Sequence, residues 1–239
     1  MRMLESLQLS TPLRVLDLAS GQGDGARHFV AIGAHVQYLD RSEEMLATGI
    51  ARGLIPASQA IVHDLRDFPL PFADGSFDAI SIRYALHDVV SAAGLLREVS
   101  RLLAPEGRFQ ITDMCARDPE TAQFIERLHA LKTNGPPIQV TVLDERRLVA
   151  LLESEGFAIL NERWHVSVVS SNDWIAEGQI NAARRNEMLP LVRAWKATHL
   201  GASDELHARL SPSSFRLSFP VIILTVVRSI QTAGGGHDG

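Results

Sequence analysis

Three glycines in five residues, Gly21, Gly23 and Gly25, follow an apolar run that ends in Asp17-Leu18-Ala19-Ser20. Backbone without side chains approaches a ligand closely, and the spacing Gly21, Gly23, Ala26 meets a relaxed dinucleotide-binding fingerprint. The same spacing also serves a tight strand-to-helix turn that binds nothing. Two carboxylates favour a ligand. Asp40 ends the next apolar run, about 20 residues beyond the glycines, where a carboxylate accepts both ribose hydroxyls of a nucleoside. Ser42 is better placed than Asp40 to cap the helix that follows. Asp17 lies before the glycines, inside the turn, where it opposes a pyrophosphate but suits a cationic amino-acid tail. That argues against NAD, and an NAD-dependent oxidoreductase stands as the less favoured of two alternatives.

These residues need a scaffold, and the apolar pattern supplies one. Strands are predicted at 14–19, 35–39, 60–63, 77–82 and 108–112, with helices over 23–32, from Ser42 onward and through Leu95, Leu96, Val99, Leu102 and Leu103. In the first helix Ala26, Phe29 and Val30 are expected inward. Pro105-Glu106-Gly107 is expected to turn the chain into the fifth strand. Strands alternating with helices of this length predict an α/β fold with a doubly wound, Rossmann-like parallel sheet. Later, Asp118-Pro119-Glu120 starts a helix, a second helix spans 144–155 and stops at Gly156, and a strand lies within 157–169. A final strand is expected at 217–227. The stretch 170–216 is too long for a simple connection and reads as a helical insertion over one end of the sheet. One domain over 1–230 and a disordered tail over 231–239 follow.

Composition narrows the class further. The 239 residues are 46% hydrophobic and 21% charged, with net charge −5, so no basic footprint for nucleic acid or an acidic membrane is evident. A single cysteine, Cys115, excludes an intrachain disulfide. The first ten residues lack the apolar run of a signal peptide, and the apolar stretch 219–227 falls short of a membrane span of about 20 residues. The expectation is a soluble cytoplasmic protein acting on a small molecule, without nucleic-acid or membrane partners, with a homodimer open.

Several motifs in order then make the chain resemble the class I S-adenosylmethionine-dependent methyltransferases. Val15-Leu16-Asp17-Leu18-Ala19-Ser20-Gly21-Gln22-Gly23 is similar to the glycine motif of that family and Asp40-Arg41-Ser42-Glu43-Glu44-Met45-Leu46 to its ribose motif. Asp64, the segment 69–78 and the segment 96–108 complete the pattern. The resemblance implies a seven-stranded sheet with its last strand antiparallel, and S-adenosylmethionine as cofactor. It implies that Asp17 and the backbone at Ala19, Ser20, Gly21 and Gly23 face the methionine part, and that Asp40 binds the ribose. Arg41 and Met45 would flank adenine, His63, Asp64 and Leu65 would recognise its edge, and Arg83, Tyr84 and the segment to His87 would line the methyl-transfer end. Ala19 departs from the family's glycine and is tolerable if its φ is negative.

The expected reaction is methyl transfer to a small organic acceptor, at oxygen, and the other alternative is a protein that binds S-adenosylmethionine in a non-methylating role; transfer to a hydroxyl needs alignment and removal of a proton. His87, with Asp88 beside it, is the candidate catalytic base; the plainer alternative is a histidine that shapes the pocket or caps the next helix. His129, His165 and His199 face either the acceptor or solvent. No histidine pair has metal-ligand spacing with a nearby carboxylate, so no metal is expected. Cys115 reads as buried and structural rather than nucleophilic. Trp164, Trp174 and Trp195 line an acceptor pocket or belong to the core.

Overall fold

The computed structural model describes residues 12–89, 91–132, 141–176, 180–198, 208–211 and 213–229. The first half alternates as expected: β1 (Arg14–Leu18), α1 (Arg27–Ala31), β2 (His35–Asp40), α2 (Glu43–Ala51), β3 (Ala60–Val62), β4 (Phe77–Arg83), α3 (Ala92–Leu102) and β5 (Leu103–Met114). There follow α4 (Pro119–Ala130), α5 (Glu145–Ser154), β6 (Phe157–Ser170), α6 (Ser171–Ala176), α7 (Ala182–Thr198), β7 (Ala208–Leu210) and β8 (Phe215–Arg228). The main sheet runs β3-β2-β1-β4-β5-β8-β6, with the short β7 paired to the start of β8. β8 is antiparallel to both β5 and β6, and the remaining main-path pairs are parallel. This is the Rossmann-like mixed sheet that the motifs imply.

Local chemistry fixes the helix ends. Ser42, Asp118 and Asp144 cap α2, α4 and α5 by accepting from Met45 N, Thr121 N and Arg147 N, and Pro119 takes the first turn of α4. Gly156 closes α5 in the left-handed region at φ +80°. Two predicted bounds differ. α1 begins at Arg27 rather than 23, because the glycine turn continues through Gly25; Ala26 and Phe29 are buried, but Val30 is 51% exposed. β5 begins at Leu103: between the pairs Phe77↔Leu103 and Ala79↔Arg108, one residue of β4 faces four of β5. Pro105-Glu106-Gly107 is absorbed as a bulge within the strand instead of preceding it.

One face of the sheet packs Leu95, Leu96 and Val99 of α3 and Leu148 and Leu152 of α5 against Leu16, Ile80, Phe109, Ile111 and Leu224. On the other face a smaller cluster joins Val15, Val36 and Tyr38 to Phe29 and Leu46. The loop before β4 is tied to α3 by charge: Glu98 accepts from Leu70 N at 2.7 Å and pairs with Arg101, which donates to Phe72 O and reaches Asp74.

β6 and β8, 14 residues each, overshoot β5. The excess of β8, Phe215, Leu217 and Phe219, forms a third cluster with Phe124, Ile125 and Leu128 of α4 and Met188, Val192 and Trp195 of α7. Helices of the second half therefore pack over the carboxyl end of the sheet. Residues 231–239 and His199 lie outside the described residues.

Two non-glycine residues take positive φ, Ala19 at +50° and Tyr84 at +53°, both just beyond a strand end. The negative φ that would make alanine harmless at position 19 is thus not found. The turn demands the left-handed region, and the alanine bears a cost of about 1 kcal/mol. Ala19→Gly should raise stability by roughly 0.5–1 kcal/mol and the melting midpoint by about 1–4 °C, read by calorimetry.

Candidate active site

The strand order reverses between β1 and β4, and ligands bind at such switch points beyond the carboxyl ends of the strands. Asp17 of β1 stands opposite Ser81 of β4 in register, and Ser81 Oγ donates to Asp17 Oδ1 at 2.6 Å. Asp17 is only 2% exposed. Burial pushes its carboxyl up to about 6, against the Ser81 hydrogen bond and the Arg83 charge, which pull it down. Gly25 leaves space beside this group: a Cβ there would sit 3.4 Å from both Asp17 Oδ2 and Arg83 Nε. A buried anion and a cation therefore border one gap, a fit for a ligand tail carrying both an ammonium and a carboxylate.

The glycine turn is held from the neighbouring strand. Asp40 Oδ2 accepts from Gly21 N at 2.7 Å and Oδ1 from Ser42 N at 2.8 Å, and Ser20 N donates to Leu39 O. Each Asp40 oxygen keeps a further lone pair for a ribose hydroxyl. At Gly23, φ is +85° and a Cβ would meet Ile55 Cγ1 at 2.7 Å. The half-exposed Met45 places its methyl 3.4 Å from where a Gly21 Cβ would lie, and Arg41 is exposed next to Asp40. These apolar and cationic side chains could flank a base.

The third strand end is less open to an incoming base. Asp64 is bound by Arg66 through Nε and Nη2, and that hydrogen bonding pulls its carboxyl down to about 2. His63 Nε2 lies 2.8 Å from Asp67 O, and Leu65 packs against the main core. Arg83 sits over the Tyr84 ring at 5.6 Å, and the Tyr84 hydroxyl lies 3.4 Å from Nε2 of His165 on β6.

His87, four residues past β4, is 8% exposed. Its sequence neighbour Asp88 is not its hydrogen-bond partner: His87 Nε2 is 3.7 Å from Asp88 Oδ1, beyond bonding distance. Asp113, next to the last residue of β5, takes the His87 Nδ1 contact at 2.6 Å. Parallel pairing of β4 with β5 brings the two together across 26 residues of chain. Burial alone would lower the His87 pKa, but the charge and hydrogen bond of Asp113, with Asp88 behind, outweigh it and the net shift is upward. His129 of α4 packs edge-on to His87 at 5.5 Å, and burial holds it far below the usual imidazole range.

Neither Asp113 nor Ser81 was singled out by sequence. Each is a polar residue inside an apolar strand near its carboxyl end, which is the signal that marks them. Cys115 is fully buried and its thiol is pushed up by that burial, as a structural cysteine should be. Trp195 stacks on Phe124 between α4 and α7, where both line a cavity of about 800 Å³, and Trp164 lies under Arg117 at 3.5 Å; the Trp174 side chain lies outside the described residues. Among the described residues no three potential metal ligands converge, and no helix is long and apolar enough to cross a membrane.

A methyltransferase-domain family matches residues 16–111. Over 188 residues the chain is 30% identical to a demethylmenaquinone methyltransferase of Thermotoga maritima, covering 70% of this chain and 80% of that one. It is 28% identical over 211 residues to the uncharacterized methyltransferase YcgJ of Bacillus subtilis, covering 85% and 77%. The crystal structure of YcgJ shares the fold with a TM-score of 0.75 at 22% identity, covering 95% of this chain and 97% of that one. Identity to a demethylmenaquinone methyltransferase of Clavibacter sepedonicus reaches 43%, but the match spans 42% of this chain and 40% of that enzyme. Sheet, glycine turn and matched domain define an enzyme that transfers a methyl group. The chain belongs to the class I S-adenosylmethionine-dependent methyltransferases, with S-adenosylmethionine as its cofactor.

Two outcomes follow for the cofactor site. Asp17→Asn should stabilise the ligand-free protein by on the order of 1–3 kcal/mol at pH 7 while weakening S-adenosylmethionine binding. The sign is set by the raised carboxyl: the folded state binds the extra proton, so this site favours folding in acid and loses that advantage as pH rises through about 6. In the wild type, titration calorimetry should show affinity for the cationic cofactor falling below pH 6, about tenfold by pH 5. Asp40→Ala removes the ribose acceptor and the anchor of Gly21 N together, and should cost roughly 2–4 kcal/mol of cofactor binding. Unchanged affinity would refute the ribose role.

Proposed function

We propose that the enzyme methylates a small organic molecule at an oxygen that His87 deprotonates. The observation that carries this is His87 itself, a buried imidazole at the carboxyl end of the sheet whose Nδ1 is engaged by Asp113, leaving Nε2 as the base nitrogen. In this reading Asp17 and Arg83 receive the two charges of the methionine tail, beside backbone at Ala19, Ser20, Gly21 and Gly23. Asp40 takes the ribose, with Arg41, Met45, His63, Asp64 and Leu65 around the adenine. Tyr84 lies at the acceptor side.

S-adenosylmethionine supplies a methyl carbon already activated by its sulfonium. The protein's work is alignment, exclusion of water and proton removal. His87 Nε2 takes the hydroxyl proton as the oxygen bonds to the methyl carbon. Held by Asp17, Arg83 and Asp40, the cofactor would supply the methyl carbon and keep the carbon–sulfur electron pair on sulfur, and the His87 imidazolium would return its proton to solvent.

A second reading has the methyl group reach a ring carbon. It is favoured by the ubiquinone/menaquinone biosynthesis C-methyltransferases among the relatives. Loss of a phenolic proton would activate the ring there as well, so the same histidine serves both.

Incubation with methyl-labelled S-adenosylmethionine and a panel of phenols and 1,4-dihydroxynaphthalenes should yield labelled product. Mass spectrometry of that product separates methyl ether from carbon-methylated ring. Label confined to the unreacted cofactor across the panel would count against both. His87→Gln should lower kcat by about 10²–10⁴-fold with cofactor affinity kept. Because the base must be neutral and its pKa is raised, wild-type kcat should fall on the acid side of an apparent pKa above the ordinary histidine value of about 6.5.

A further inference from the structure

One carboxylate grips His87 at two points. Asp113 Oδ1 meets the ring Nδ1 at 2.6 Å, and Oδ2 accepts from the backbone N–H of the same residue at 3.1 Å. Oδ1 also accepts from Met114 N at 2.7 Å, so Asp113 cannot swing away without losing a backbone donor as well. Asp113 is 3% exposed, and water does not compete for these bonds. The far side of the histidine is fixed too, since Thr141 N donates to His87 O at 2.9 Å.

We propose that Asp113 is the positioning residue of the reaction: it holds the His87 proton on Nδ1 and so makes Nε2 the nitrogen that accepts the acceptor's proton. The inference rests on the reading of His87 as the base. The argument is one of hydrogen-bond capacity. A carboxylate offers only acceptors, so Nδ1 must be the donor, and a neutral imidazole then carries its lone pair on Nε2. The groups facing the ring leave this assignment uncontested. Asp88, at 3.7 Å from Nε2, is too far to bond and half in solvent. His129 presents its ring edge from α4 and is held neutral by burial. Lys132, near the end of α4, acts on His87 by charge alone and in the opposing direction. Asp113 thus plays the orienting part that a buried acid plays behind a base histidine in hydrolytic triads, reached here from the adjacent strand end.

The test is imidazole ¹⁵N NMR of the full ligand-free chain, with the His87 signals assigned by their loss in H87Q. At pH above its titration midpoint, wild-type His87 should show the Nδ1–H tautomer; the Nε2–H tautomer would overturn the proposal without any variant having to fold. In Asp113→Asn the negative charge is gone, so the His87 midpoint should drop by at least about one pH unit. For whichever phenol of the panel is turned over, kcat should fall at least about tenfold with the cofactor KM little changed. The acid limb of the kcat profile should move down with the NMR midpoint. A midpoint and a limb that stay in place would overturn the role of Asp113. A fully active H87Q would instead overturn the base assignment, and the tautomer measurement would still report on the Asp113 geometry, so the two failures are distinguishable.

Discussion

The reversal of strand order between β1 and β4 is the constraint on which the chemistry of this enzyme depends. Where connections depart in opposite directions, their own helices diverge from the strand ends, and a crevice opens at the carboxyl edge. Asp17 and Ser81 meet directly across that seam. Asp40 reaches the glycine turn from one neighbouring strand, and Asp113 reaches His87 from the other side. Asp17, Asp40, Ser81 and Asp113 stand at or near strand ends braced by parallel pairing, which is more rigid support than loops provide.

Several features of this edge are poor for stability and good for binding. A carboxylate buried beside a serine is costly, a cost that a positively charged ligand would offset. Ala19 and Tyr84 hold left-handed backbone that glycine would adopt more easily. Strain and unbalanced charge persist where surrounding structure over-determines them, and here the main core beneath the sheet does so. The separate cluster around Phe215, Leu217 and Phe219 lets α4 and α7 sit over the sheet edge, and α4 brings His129 against His87.

The order of elements, the glycine turn, the capping residues and the carboxylates Asp17 and Asp40 were legible in the chain itself. Each rests on local rules: apolar periodicity, backbone freedom at glycine, and short-range hydrogen bonds such as Ser42 to Met45. The bounds that shifted did so for tertiary reasons. Pairing of Leu103 with Phe77 drew the Pro105 turn into β5, and the demand of the glycine turn for left-handed backbone overrode the preference of Ala19. The partner of His87 was beyond local reading altogether. Sequence proximity pointed to Asp88, but adjacent side chains diverge, while a parallel strand brings Asp113 alongside. The sequence by itself determined what the crevice is made of, because glycine spacing and strand-end acids are chain-local properties. Which carboxylate holds which partner was decided only by the tertiary structure, because hydrogen bonds of 2.6 Å between residues far apart in the chain exist only once the sheet has set its register.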